Sequence, residues 1–318
     1  MPFTVLVTGA SGFIASHIVA QCLEKGYKVR GTVRDPSNEE KVGHLKRLPG
    51  ASENLELFAA DLSTADFKEP IAGCDGVFHT ATPFIFGGTK EQILDPAMAS
   101  TQAILDASVA AGTVKTFVLT SSTSAMAPVP EPDVKSEMHW SDPDTQRAKG
   151  NWYGATKTLQ ERLCNEYVSK LPADKKFRFV AVCPTGVVGP MLGPGMSQVN
   201  GWLLAVLKGT AMKDCKNDSM SWVDVRDCAA IHVAAMENDT AEGRYMCVES
   251  SLHWNDIVKM LKELCPTAAD VKPFGGDLVK PTTFNRSRQD SLGVAVRPVR
   301  DIFEGVIETL KARGVLPV

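Results

Sequence analysis

A short apolar run breaking into glycines, V-L-V-T-G-A-S-G from Val5 to Gly12, constrains this chain more than any other stretch. Three β-formers lead into a tight turn. The apolar residues after it (Phe13, Ile14, Ile18, Val19, Cys22 and Leu23) recur at helical spacing, which predicts strand, turn, helix. A helix starting there aims unpaired N–H groups and its positive dipole end at the turn, which suits a phosphate. Gly9 and Gly12 permit the turn and let a pyrophosphate reach the main chain, and Ser11 lies between them. The stretch reads G-A-S-G-F-I-A, with Ala15 where the dinucleotide fingerprint often carries its last glycine. By itself it also fits a glycine-rich turn with no ligand.

The alternation continues downstream. Lys28 to Val33 reads as a second strand, closed by Arg34. In a doubly wound sheet the residue at that strand end meets the adenosine ribose; an acid there suits NAD and an arginine suits the 2′-phosphate of NADP. Arg34, with Lys41 a helical turn or two on, favours NADPH, although Asp35 leaves an acid one place along. Leu55 to Ala59 is a third strand ending at Asp61-Leu62, and Gly76 to His79 a fourth, leading into Thr80-Ala81-Thr82-Pro83-Phe84. Thr80, Ala81 and Thr82 are small enough for a cofactor to lie on the backbone, Asp61 is placed for an adenine amino group, and Phe84 opens a substrate wall. His79 reads as a packed strand-end residue rather than a catalyst. Residues 91–111 show the spacing of a long helix ended by Gly112.

A fifth strand, Thr116 to Leu119, runs into Thr120-Ser121-Ser122-Thr123-Ser124, and a later helix near Asn151-Trp152 carries Tyr153 and Lys157 on one face. A hydroxyl, a phenol and an ammonium at one sheet edge are what hydride reduction of a carbonyl needs. The phenol protonates the developing alkoxide, the ammonium pulls the phenol's pKa of about 10 toward neutrality, and the serine polarises the carbonyl. Residues 127–150 read as an irregular surface loop, Phe177 to Cys183 as a sixth strand, and 222–227 as the start of a helix with an acid at its positive end. Met191, Leu192, Met196, Trp202 and Leu203 among glycines in 190–220 read either as adaptable apolar cover for a ligand or as a core helix with loops.

These motifs resemble the extended short-chain dehydrogenase/reductases, nearest to the branch of dihydroflavonol reductases, cinnamoyl-CoA reductases and yeast-type methylglyoxal or ketone reductases. The matching pieces are V-T-G-A-S-G-F-I-A-S (7–16), V-R-G-T-V-R-D-P (29–36), V-F-H-T-A-T-P-F (77–84), L-T-S-S (119–122), Y-G-A-T-K (153–157) and P-T-G-V-V-G-P (184–190). The resemblance implies NADPH held by Gly9, Gly12, Phe13, Ile14, Arg34, Lys41, Asp61 and Leu62. It implies nicotinamide contacts from Thr80, Pro184 and Val187, and Ser122, Tyr153 and Lys157 as the catalytic set, the second serine of the T-S-S run being the reactive one. Ser11, Ala81, Thr82 and Thr120 complete the cofactor candidates, and Phe84, Thr123, Met191 and Trp202 are the substrate candidates. The chain departs from both plant specialists. Ala127 stands where dihydroflavonol reductases carry Asn or Asp, and N-W-Y-G-A-T-K (151–157) keeps only the first three residues of the cinnamoyl-CoA reductase pattern. Ala99 stands where many members carry a helix asparagine. These losses favour a general aldehyde or ketone reductase. A dihydroflavonol 4-reductase or cinnamoyl-CoA reductase is the nearer alternative; an NAD-dependent epimerase and a non-catalytic NADP sensor are more remote, the first opposed by Arg34 and the second by retention of Tyr153 and Lys157.

The expected fold is therefore α/β: a Rossmann-type doubly wound parallel sheet over residues 1–185, and a smaller C-terminal substrate-binding lobe over 186–318, with 222–236 returning to the first domain. At 318 residues the chain is long enough for both. A net charge of -3 gives no basic field for nucleic acid or an anionic membrane. No apolar run suits a bilayer span, no leader precedes the first strand, and the eight cysteines show no metal-site spacing. We expect a cytoplasmic, metal-free enzyme, monomeric or a homodimer through helices 91–111 and 152–169.

Overall fold

The structure, a computed structural model, describes residues 3–62, 66–83, 85 and 87–317. Phe84 lies outside the described residues. The first half runs β1 (Thr4–Val7), α1 (Phe13–Glu24), β2 (Lys28–Val33), α2 (Glu39–Lys46), α3 (Ala51–Asn54), β3 (Leu55–Ala59), α4 (Lys68–Ile71), β4 (Gly76–His79), α5 (Lys90–Ala111) and β5 (Thr116–Thr120). It continues through β6 (Val134–Lys135), α6 (Pro143–Ala148), α7 (Trp152–Ser169), β7 (Arg178–Pro184), β8 (Gly186–Val188), α8 (Gln198–Leu207) and β9 (Ser219–Asp224). The last part is α9 (Val225–Glu237), β10 (Gly243–Cys247), β11 (Ser250–His253), α10 (Trp254–Leu264), β12 (Thr283–Phe284), α11 (Ser287–Asp290) and α12 (Val299–Ala312).

Seven strands form one parallel sheet in the order β10-β7-β5-β4-β1-β2-β3. The strands are apolar on both faces because helices cover both, as parallel sheets require. One core cluster holds Val5, Val7, Ile18, Val29 and Ala229; the other holds Leu6, Val77, Ile104, Phe117 and Phe179. The chain order reverses between β1 and β4, so the crevice of the sheet opens at their C-terminal ends. The sheet also takes in β10, from a segment read as part of the smaller lobe.

Two stretches differ from the sequence reading. Residues 222–224, expected to open a helix, are instead the end of β9, which pairs with both β8 and β11, and the helix begins at Val225. Asp224 does sit at a positive helix end, as N-cap of α9, accepting from the Arg226 N–H at 2.7 Å. The region 127–150 is not wholly irregular, because α6 starts on Asp142, whose carboxylate caps the Asp144 and Thr145 N–H groups, with Pro143 at the first helical position.

The smaller lobe has its own core around Trp222, which meets Phe303 edge-on at 5.1 Å and Trp254 at 6.4 Å between ring centres. Phe13 on α1 packs against this core and the main one. Main-chain oxygens pin the loop after β8 to both halves. His17 Nε2 on α1 donates to the Pro190 carbonyl at 2.9 Å. Arg313, just past α12, donates to the carbonyls of Met191 and Pro194, each at 2.9 Å, and to that of Gly193. A Cβ on Gly193 would lie 3.0 Å from the His44 ring, so the loop closes against α2 as well. All eight cysteines are buried, free thiols.

Candidate active site

The turn between β1 and α1 is built for close approach. Gly9 has φ +64°, and a Cβ there would stand 3.1 Å from that of Ala81. Gly12 N–H closes the turn onto the Gly9 carbonyl at 2.8 Å. No side chain caps the N-terminus of α1 and no acid sits in its first turn, so its leading N–H groups face the crevice uncapped. Ser11 and Gly12 are exposed, and Phe13 and Ile14 half-buried.

Arg34 and Asp61 follow the neighbouring strands β2 and β3 and are exposed, as is Lys41 in the first turn of α2. Neither Arg34 nor Lys41 pairs with a carboxylate of a described residue. Asp35 does not turn inward: its carboxylate accepts from the Ser37 N–H at 2.9 Å and hydroxyl at 2.6 Å, which holds its pKa below the usual value. Leu62 packs against the core beside β4 and β5. The donors and cations here fit a dinucleotide carrying a 2′-phosphate.

Beyond β4 the backbone is held by side chains the sequence reading passed over. Thr8 Oγ1 accepts from the N–H groups of Thr80 and Ala81, both at 3.1 Å. Thr8 Oγ1 also lies 3.0 Å from His79 Nδ1, and His79 Nε2 lies 3.0 Å from Thr101 Oγ1. Thr101 spends its proton on the Ala97 carbonyl at 2.7 Å and receives from Gln160 Nε2 at 2.8 Å. His79 therefore donates through Nε2 and accepts at Nδ1, the neutral tautomer. Burial first, and the Lys157 charge second, push it down to about 3.

Lys157 is 2% exposed. Its ammonium donates to Thr82 Oγ1 at 2.8 Å and to the Thr120 carbonyl at 2.7 Å, and lies 5.8 Å from the centre of the Tyr153 ring. Tyr153 is half-buried, and its hydroxyl meets that of Ser122. Ser122 Oγ also accepts from the Ser124 N–H at 3.1 Å, capping the short 3-10 turn Thr123–Met126. Ser121 points the other way, into the core, against Glu161. Gly154 completes the helix start: Asn151 Oδ1 caps its N–H at 2.9 Å, and a Cβ there would come within 2.6 Å of the Asn151 amide.

The electrostatics differ from the sequence expectation. Burial drives Tyr153 up to about 12, opposed only by its bond to Ser122. Burial also drives Lys157 down to about 7, opposed by the charge of Glu161 and by Cys183. Desolvation disfavours both charged forms, and the expected pull of the ammonium on the phenol is not among the influences on Tyr153.

Other candidates fall less centrally. Thr120 offers its carbonyl, since its hydroxyl is taken by His232 Nε2 at 2.8 Å. Thr123 Oγ1 donates to the Pro184 carbonyl at 3.3 Å, tying the ends of β5 and β7 together. Val187 is packed in the main core. Met191 is buried in the smaller lobe, and Trp202 stacks edge-on against Trp254 at 4.8 Å, so α8 is a core helix rather than loose cover. Leu192 and Met196 are the exposed apolar residues of that segment. A groove of about 620 Å³ lined by Met138, Phe179, Gly243 and Arg288 lies at the outer edge of the sheet and holds none of the candidates.

Residues 5–247 match the family model described as the NAD dependent epimerase/dehydratase family. Cinnamoyl-CoA reductase 1 of Petunia hybrida is 39% identical over 328 residues, covering 99% of this chain and 94% of the relative. Among solved structures, vestitone reductase from alfalfa (Medicago sativa) superposes with a TM-score of 0.82 at 29% identity, covering 98% of this chain and 99% of the other. Gre2 from Candida albicans, in complex with NADPH, does so with a TM-score of 0.84 at 25% identity, covering 98% and 99%.

Proposed function

The chain belongs to the NAD dependent epimerase/dehydratase family, the extended short-chain dehydrogenase/reductases, and on that premise we propose that it is an NADPH-dependent reductase of aldehydes or ketones bearing an apolar or aromatic substituent. The observation that carries this reading is the buried Lys157 ammonium, held by Thr82 and the Thr120 carbonyl 5.8 Å from the centre of the Tyr153 ring, with the Ser122 hydroxyl beside the phenol. Bound NADPH supplies the hydride. Ser122 donates to the carbonyl oxygen and holds it beside the phenol. Tyr153 gives its proton to that oxygen as negative charge develops. A phenol held near 12 is fully protonated at neutral pH, so the donor is loaded before the substrate arrives. The phenolate left behind is met by Ser122 and by Lys157, whose charge is then an asset rather than a desolvation burden. The smaller lobe covers the substrate, with Leu192 and Met196 as apolar lining.

NADPH oxidation against aromatic aldehydes, α-diketones, β-ketoesters, a hydroxycinnamoyl-CoA and a dihydroflavonol tests the reading. Loss of reduced nicotinamide with at least one carbonyl is expected; turnover of a nucleotide sugar with none consumed would mean an epimerase. Tyr153→Phe should cut kcat by roughly 10²- to 10⁴-fold while NADPH still binds. Arg34→Ala should weaken NADPH by about tenfold or more and NADH much less, consistent with loss of a charge-assisted phosphate contact; equal losses would remove Arg34 as the phosphate reader. The likeness to the petunia enzyme favours thioester reduction as a second reading, which the hydroxycinnamoyl-CoA assay decides.

A further inference from the structure

We propose that Glu161 and Arg244 form a positioning pair that grips the Ser122 turn from both sides and sets a negative charge behind Lys157. The proposal rests on Ser122, Tyr153 and Lys157 being the reacting set. On α7 the side chains of Tyr153, Lys157 and Glu161 follow one another at four-residue steps, so they share a face. Glu161 is fully buried and Arg244, on β10, is 6% exposed.

The carboxylate accepts from Ser121 Oγ, from Arg244 Nε at 2.7 Å, from Arg244 Nη2 at 3.5 Å, and more weakly from Cys183 Sγ at 3.7 Å. The guanidinium uses its remaining donors on main-chain oxygens: Ala125 at 2.9 Å, Glu137 at 3.2 Å, and His139. Its carbon lies 3.9 Å from the centre of the Trp140 ring. Glu161 therefore fixes residue 121 and Arg244 fixes residue 125, and Ser122 lies between them. One rigid fork thus spans β5, α7, β10 and the 127–150 excursion, which a flexible lysine could not do.

The charge has a second target. Lys157 is faced by Tyr153 and Glu161 on its own helix, by His79 on β4 and by Cys183 on β7, with Arg244 behind Glu161. His79 is neutral and Cys183 is pushed well above its ordinary value by burial, so Glu161 is the anion among them that favours the ammonium. Removing that charge must lower the lysine further, and reduction declines as pH rises through its titration.

Three variants and one control test this. Arg244→Lys keeps the buried charge and loses the fork; kcat should fall by roughly 10²-fold, the loss expected from a misplaced reacting group, with KM for NADPH unchanged. Glu161→Gln keeps an acceptor for Ser121 and loses the charge; the alkaline fall of kcat should move to lower pH, and adding Arg244→Met should move it back. Wild-type kcat in Arg244→Lys, or an unmoved pH profile in Glu161→Gln and in the double variant, overturns the proposal. Full turnover by Tyr153→Phe would instead overturn the reading of the reacting set.

Discussion

His79 and the Ser121–Ser122 pair show what one residue's surroundings decide. Protonating His79 would put a proton on Nδ1, opposite a Thr8 oxygen whose own proton already points there. The unfolded chain binds that proton near 6.5 and the folded one only near 3, so stability is lost as pH falls through that window. His79→Gln should flatten the acid side of a stability-against-pH curve; an unchanged curve would show that another group governs acid unfolding. The sequence could place His79 at a strand end but not its partners, because Thr8, Thr101 and Gln160 converge from three separate elements. Ser122 was singled out over Ser121 by resemblance alone. The physical reason is strand alternation, which turns adjacent side chains to opposite faces and sends Ser121 into the core.

Elements were legible where the chain repeats a period and obscure where a cap imitates one. Strands β2, β3 and β4 read directly from their apolar runs, and α5 from its spacing and its terminal Gly112 at φ +65°. At 222–224 the helix signal comes from Asp224, which caps a helix beginning only at Val225 while the residues before it belong to a strand, and α6 is hidden because Pro143 reads as a breaker although it stands at a helix start. The spacing of Tyr153, Lys157 and Glu161 was visible; what was missing was Arg244, on a strand far along the chain. A glycine inside β2 has its own account. A Cβ on Gly31 would lie 2.8 Å from that of Ala10 and 2.9 Å from Leu57 Cδ2, so the strand and the turn touch there without a side chain between them. Gly31→Ala should cost roughly 1–3 kcal/mol by overpacking and weaken NADPH binding through the displaced turn. A wild-type denaturation midpoint would show that the neighbours yield freely.

Across the whole molecule, the boundary expected near residue 185 follows from where the matching motifs end, but the contacts that hold the loop after β8 are not legible in the sequence, since they are made to main-chain oxygens. Arg313 donates to three of those carbonyls, at Met191, Gly193 and Pro194. Arg313→Met should raise KM for the carbonyl substrate several-fold while KM for NADPH stays put, because its grip is on the loop after β8 and not on the glycine turn. Equal effects on both constants would mean that the loop serves the cofactor.

That loop is held by carbonyl oxygens, which every amino acid possesses, so its shape owes little to the identities of Leu192 and Met196. Gly193 is fixed by the imidazole against it, as Gly189 is by its positive φ and by Val225. Under the proposed function, exchanging Leu192 and Met196 should change which carbonyl compound is accepted while the loop itself keeps its place.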